Sequence, residues 1–392
     1  MHAMKIRIRL VAFRDAPKEV YEQARNRLIE CFPIIHLAFV EEAPDAICFA
    51  SGGSEQLAVS LMEPGRFYLL LAGDQGNAYA AATEVKAWAD LNGRSTKLVT
   101  IKQAMEDKIL DRLAGVNQAR HQLQHQKAAL IGEVSHWLVA SHFPLSLVRD
   151  RFGIKMIHLP WKTLPDYLEH PPDEEFLNVF AESKKKDLEK EARIHTFLQH
   201  IVQEYQLDGV TVECFSMVKD RGATACLSLA LLNSRNILAA CEGDLVSLTG
   251  MMVTRALTRH VPWMANIASI NHDHVLFAHC TAPLNVVRAY SLPSHFETDK
   301  SAAVQGDLDM EDVTIYRLNA QLNKAYIAEG RIVARPKHAF ACRTQVEVAL
   351  SPEDLHALRE HPLGNHHLII PGRYGDLFRW FGWVSGVQAI QG

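Results

Sequence analysis

The chain has 392 residues, 48% hydrophobic and 22% charged, with a formal net charge of −4. That size allows two or three domains around large buried cores, and the charge balance gives no electrostatic drive toward nucleic acid or an anionic membrane. The seven cysteines, at 31, 48, 214, 226, 241, 280 and 342, include no Cys-x-x-Cys pair. They are expected to be reduced, as in a cytoplasmic protein.

The chain begins with Lys5-Ile-Arg-Ile-Arg-Leu10, an alternating strand rather than a signal peptide. No apolar run reaches membrane-spanning length. In the first third, short apolar runs at 6–13, 34–40, 46–50, 67–72 and 98–101 read as strands. Helical patterns at 17–31, 54–62 and 77–91 separate them. Ser51-Gly-Gly-Ser54 lies between a strand and a helix but lacks the dinucleotide fingerprint and the phosphate-loop lysine, so it reads as a tight turn. A polar helix over 102–127 leads out of this region.

Alternation then restarts, with strands at 129–134, 154–159, 210–215 and 237–241. Helices are expected over 145–152, 176–205, 223–232 and 245–257. Lys184-Lys-Lys186 is followed by Asp187, Glu189 and Glu191, so it reads as part of a solvated helix face. After about residue 262 the texture changes to strands at 275–278, 303–308, 313–318, 324–334, 339–350 and 367–371, divided by Gly306, Gly330, Pro336 and Gly364. A packed aromatic helix covers 377–387. The fold class is therefore α/β: two doubly wound, Rossmann-like domains followed by a mostly antiparallel, barrel-like β domain.

Chemistry-bearing residues gather late in the chain. Glu242 follows an apolar strand, Gly243 allows a tight turn, and Asp244 can cap the next helix. A carboxylate at the carboxyl end of such a strand lies where α/β sheets bind ligands. His279 closes a second strand-like run, and His366 and His367 form an adjacent pair whose side chains, on a strand, point opposite ways. One carboxylate and two imidazoles suit a first-row divalent ion. His272 and His274 read as an exposed turn.

Five motifs carry a resemblance: Leu207-Asp-Gly-Val-Thr-Val-Glu-Cys-Phe215, Cys241-Glu-Gly-Asp244, Phe277-Ala-His-Cys-Thr-Ala-Pro283, His295-Phe-Glu297 and Gly364-Asn-His-His367. With the architecture, they make the chain similar to the L-fucose/L-arabinose isomerase family, in particular its shorter fucose-isomerase-like members. The resemblance implies domains at 1–128, 129–265 and 266–392. It also implies a divalent metal, usually manganese (Mn2+), with a carboxylate moving a proton between adjacent carbons of a sugar through an enediol. Carried over residue by residue, the metal ligands are Glu242, Asn266, His279 and His367. Beside the resemblance, proton abstraction next to a carbonyl needs a base, and the catalytic candidates are Glu242, as ligand or base, and Asp244, the nearest spare carboxylate. Asn266 departs from the family, which has a carboxylate there. Ser135 or Trp137, in Gly132-Glu-Val-Ser135-His-Trp137, could touch the sugar, as could Glu297, His366 and Arg373. The family forms hexamers with shared sites, which implies a homo-oligomer, trimer or hexamer, with Arg14 reaching a neighbour's site. The leading expectation is a sugar isomerase. A related epimerase or lyase, and a non-catalytic carbohydrate-binding or regulatory protein on the same scaffold, are the alternatives that Asn266 keeps open.

Overall fold

The computed structural model describes residues 5–181 and 187–390. Lys184-Lys-Lys186 lies outside the described residues. The chain divides into two compact units: one is the chain to Arg120 with Asp376–Gln388, the other His121–Gly375.

The first unit is a parallel sheet of β1 (Lys5–Val11), β2 (His36–Phe39), β3 (Ala46–Phe49), β4 (Phe67–Ala72) and β5 (Ser95–Thr100), in the order β2-β1-β3-β4-β5. All six residues of β4 are buried, as a central strand covered on both faces requires. The aromatic helix Gly375–Ser385 groups with this unit rather than with the expected 266–392 domain. Its Trp380 meets Phe67 edge-on at 6.1 Å, and Lys97 sits 4.6 Å above the Trp383 ring.

The second unit begins with another parallel sheet: β6 (Lys127–Ile131), β7 (Lys155–Leu159), β8 (Gly209–Val212) and β9 (Leu238–Cys241), ordered β7-β6-β8-β9. Strands β10 (Trp263–Ile270) and β11 (His274–His279) follow. A hairpin of β12 (Val287–Ser291) and β13 (Gln305–Leu308) stands apart. Then come β14 (Asp312–Leu318), β15 (Lys324–Ala334), β16 (Thr344–Ala349) and β17 (His366–Pro371). These pair antiparallel in the order β14-β17-β10-β11-β16-β15, and β14 pairs again with β15, so six strands close into a ring. Closure removes sheet edges. Inward residues such as Trp263, Phe277, Ile315, Val346 and Ile369 fill the interior.

One helix explains why the expected second and third domains form a single unit. Leu245–Thr258 is buried at every position from Leu245 to Thr254, as befits a helix covered all round. It packs against β8 and β9 on one side and β14 and β17 on the other. Gly250 permits the approach: a Cβ there would meet Leu368 Cδ1 at 2.8 Å.

Several expected elements shift. The run 210–215 ends as a strand at Val212, and Cys214 starts a helix to Arg221 that Gly222 closes at φ 70. A short apolar run does not by itself distinguish strand from helix. The long helix expected over 176–205 is two, Glu174–Val179 and Glu189–Tyr205. Among the described residues no helix is long and apolar enough to cross a membrane.

Candidate metal centre

The centre lies where the carboxyl end of β9 meets the barrel wall at β11 and β17. Cys241 ends β9, and the chain turns sharply through Glu242 (φ 62) and Gly243 (φ 69) before Asp244 caps the buried helix. Left-handed backbone is unfavourable for a glutamate and marks a position that its surroundings hold. The Ser135 backbone N–H donates to the Glu242 carbonyl at 3.0 Å. The Trp137 indole N–H donates to Glu242 Oε2 at 2.6 Å. Gly243 is required here, because a Cβ would sit 2.3 Å from the Glu133 carbonyl oxygen.

Two histidines from the barrel complete the group. Ligand atoms of Glu242, His279 and His366 all lie within 4.8 Å of one another, and all three residues are buried. His366 Nε2 stands 3.6 Å from Glu242 Oε1 and has no hydrogen-bond partner. Its Nδ1 meets Asp244 Oδ2 at 2.9 Å, while His279 Nδ1 meets Thr281 Oγ1 at 2.9 Å. Metal-bound imidazoles commonly have their second nitrogen fixed in this way, which sets tautomer and ring orientation. The orphaned, buried Nε2 beside a carboxylate suits a cation ligand, so this group could hold a metal ion.

The expected His367 is replaced by its neighbour. Side chains alternate along β17. Ile369 faces the barrel core, as does His367, whose ring lies 5.6 Å from Tyr326 and 6.0 Å from Phe277. His366 and Leu368 face the buried helix. Asn266 pairs in register with His366, but its Oδ1 accepts from Asn365 Nδ2 at 2.7 Å.

Asp244 differs from the expected catalytic carboxylate. It is wholly buried. Its oxygens accept from the Ser247 N–H (2.7 Å), Ser247 Oγ (2.9 Å) and Arg317 Nη1 (3.3 Å) as well as meeting His366. It caps the helix and holds the imidazole, and no face is left for substrate. Arg317, also buried, further donates to the His366 carbonyl (3.0 Å) and Ser141 Oγ (2.7 Å). Sequence reasoning missed it. An arginine inside the apolar strand β14 was the available signal, since a buried charge needs a partner.

The charges form a balanced set. Burial pushes Asp244 up, but Arg317 and His366 outweigh it and hold the carboxyl well below its usual range. Burial likewise opposes the Glu242 charge, but the close approach and charge of His366, with His279 and the Trp137 N–H, keep it below its ordinary value. Burial would lower His366, yet the two carboxylates raise it to about 9. Burial and the nearby His366 push His279 down to about 3. A cation bound here would take the place of the positive charge that a protonated His366 supplies, releasing the proton.

Trp137 and Phe215 meet edge-on at 4.8 Å, and Phe215 meets His295 at 5.6 Å. The Glu242 charge reaches both His295 and Glu297. Burial lowers His295, while burial and Glu242 raise Glu297. Phe215 and His295 lie in the recognised motifs but had no assigned role. The Ser135 hydroxyl is buried without a partner. Arg373 is not in the site. It pairs with Asp312 (2.8 Å) and Glu329 (3.6 Å) beyond the far end of β17, and that strand alone spans about 17 Å from His366. Arg14 is exposed in the turn after β1, in the first unit. His272 and His274 lie at the β10–β11 turn, His274 beside Asp273 at 2.7 Å.

No model of a known protein family matches this chain. A search of curated proteins likewise finds no match.

Proposed function

We propose that the protein is a metal-dependent sugar isomerase, moving a proton between adjacent carbons of an aldose or a sugar derivative. The observation that carries this reading is the buried Glu242–His279–His366 group with its orphaned His366 Nε2. The resemblance in sequence motifs supplies the reaction class and manganese as the metal. Glu242, His279 and His366 would hold the ion. When bound, it would polarise the sugar's carbonyl and neighbouring hydroxyl.

The remaining chemistry falls to side chains around that group. Trp137 fixes the Glu242 carboxylate through its N–H and exposes the rest of its ring. With Phe215 it offers the aromatic surface on which a sugar ring's C–H face packs. Glu297 is a carboxyl whose affinity for protons is raised, in part by the Glu242 charge. Such a group can accept the proton from one carbon and return it to the next. This role takes the place of the family carboxylate that Asn266 lacks. The fold fits the reading as two doubly wound, Rossmann-like layers with a barrel. The proposal includes a cytoplasmic homo-oligomer, trimer or hexamer, in which Arg14 reaches a neighbour's site.

Asn266, with its carbonyl oxygen engaged by Asn365, favours a second reading: an epimerase, a lyase or a non-catalytic sugar-binding protein at the same centre. The test is metal content of the purified protein, together with aldose–ketose interconversion across a sugar panel, for wild type and Glu242→Gln. Stoichiometric manganese and interconversion, both lost in the variant, are expected. Manganese without interconversion moves the assignment to the epimerase or lyase. Sugar-dependent thermal stabilisation without metal moves it to the binding protein.

A further inference from the structure

The first unit carries a cavity of about 300 Å³ at the amino ends of β1, β3 and β4, lined by none of the metal-centre residues. Three guanidinium groups line it: Arg7 from β1, Arg66 just before β4, and Arg120 from the helix Ile109–Leu123. The helix also contributes Leu113 and Asn117. Positions 113, 117 and 120 share one helix face.

The local charges do not cancel. Asp45 is the carboxylate lining the cavity, and Arg7 engages it through its backbone N–H (2.9 Å), Nε (3.3 Å) and Nη2 (2.9 Å). Arg66 Nη2 donates to the Ala43 and Pro44 carbonyls, which anchors the side chain without neutralising it. Glu63 lies 3.9 Å from Arg66 Nη1, but its side chain is 70% exposed, so this contact contributes little. Arg120 has no ion pair or hydrogen bond among the described residues, although it reaches solvent. Two cationic forks thus face one concavity with no anion of their own. Guanidinium matches a phosphoryl group in planar, two-point fashion. Phe67, Leu113 and Val384 give the rest of the wall an apolar surface. The volume lies at the lower end of small-molecule sites.

We infer that this cavity binds a small phosphate ester, its phosphoryl group on Arg66 and Arg120 and its organic part against Phe67, Leu113 and Val384. The inference is independent of the isomerase reading. An ester suits the lining better than free phosphate, because a bare oxyanion leaves the apolar wall unused.

Calorimetric titration at low salt tests it on the full chain, with glucose 6-phosphate, ribose 5-phosphate and 3-phosphoglycerate as esters. Glucose, glucuronate and inorganic phosphate are the controls. At least one ester should bind, and more tightly than every control. Arg120→Gln, at a solvent-reaching position, should weaken that binding about tenfold or more, the loss of one charge-assisted contact, and leave manganese affinity unchanged. Arg66→Gln should do the same, with circular dichroism checking its fold. No ester binding overturns the inference. So does glucuronate or inorganic phosphate binding as tightly as the best ester, or an Arg120→Gln variant with wild-type ester affinity.

Discussion

Replacing Asp244 by Asn keeps the shape of the side chain and removes its charge. Asn is still a good helix cap, and its oxygen can accept the Ser247 N–H that Asp244 now accepts at 2.7 Å. The second oxygen is what matters. In the wild type it faces Arg317 Nη1 at 3.3 Å, His366 Nδ1 at 2.9 Å and Ser247 Oγ at 2.9 Å. An amide N–H₂ would turn donors toward Arg317, which is 1% exposed and has no route to water. Breaking a buried ion pair from one side costs about 3–5 kcal/mol. Asn keeps the cap and can still bond Ser247 Oγ, so the expected loss is near the lower bound, about 3 kcal/mol.

The measurement is urea unfolding of metal-free protein in chelator, wild type against Asp244→Asn. Arg317→Met alone should also destabilise. The double variant should lose less than the two singles together by about 1–3 kcal/mol, because neither charge is then left unpaired. A second readout is manganese affinity, which should fall about 10- to 100-fold when the carboxylate behind His366 loses its charge. A stability loss below about 1 kcal/mol would mean that the buried triad does not hold the structure. Unchanged manganese affinity would mean that His366 is not oriented for a metal.

Further outcomes follow from the same geometry. His366→Ala should abolish divalent-ion binding by calorimetry while His367→Ala leaves it measurable, and equal affinities would remove His366 from the ligand set. Manganese should quench part of the intrinsic fluorescence through Trp137, and Trp137→Phe should shrink that quenching and weaken binding about tenfold through loss of the 2.6 Å bond to Glu242. His195 is fully buried and burial pushes its pKa down to about 4, so the unfolded chain takes up a proton below its ordinary 6.5 while the native state does not. Its contribution to stability is therefore complete above about pH 6.5 and is lost as pH falls toward 4, by about 3 kcal/mol in all. His195→Gln should flatten urea-derived stability across that window.

Why the sequence revealed some of this and not the rest can be traced to particular residues. The turn at Glu242-Gly-Asp244 was legible because each residue announces a local requirement: a strand end, a left-handed glycine and a helix cap. The parallel sheets were legible because βα alternation leaves no other packing for buried strands. The His366–His367 choice was not, because it depends on strand parity. A one-residue change in where β17 begins exchanges the two faces, and the start of β17 is set by pairing with β10, about a hundred residues earlier. Arg373 misled for a related reason: seven residues along a chain is near if the chain turns and far if it runs straight, and β17 runs straight.

The role of Asp244 lay still further from local reading. Its partners sit 73 and 122 positions downstream, at Arg317 and His366. Capping a helix was the part of its function that neighbours in sequence could disclose. The remainder arises because one helix, buried from Leu245 to Thr254, brings sheet and barrel together. The positive end of that helix's dipole adds to Arg317 and His366 in holding Asp244 ionised. A carboxylate so fixed holds its charge, and on the proposed isomerase reading proton transfer would fall to a group with the opposite tendency. Burial and the Glu242 charge give Glu297 that tendency. On the proposed isomerase reading the two acids would divide the work that their sequence positions alone left open: Asp244 would hold His366 in place, and Glu297 would move the proton.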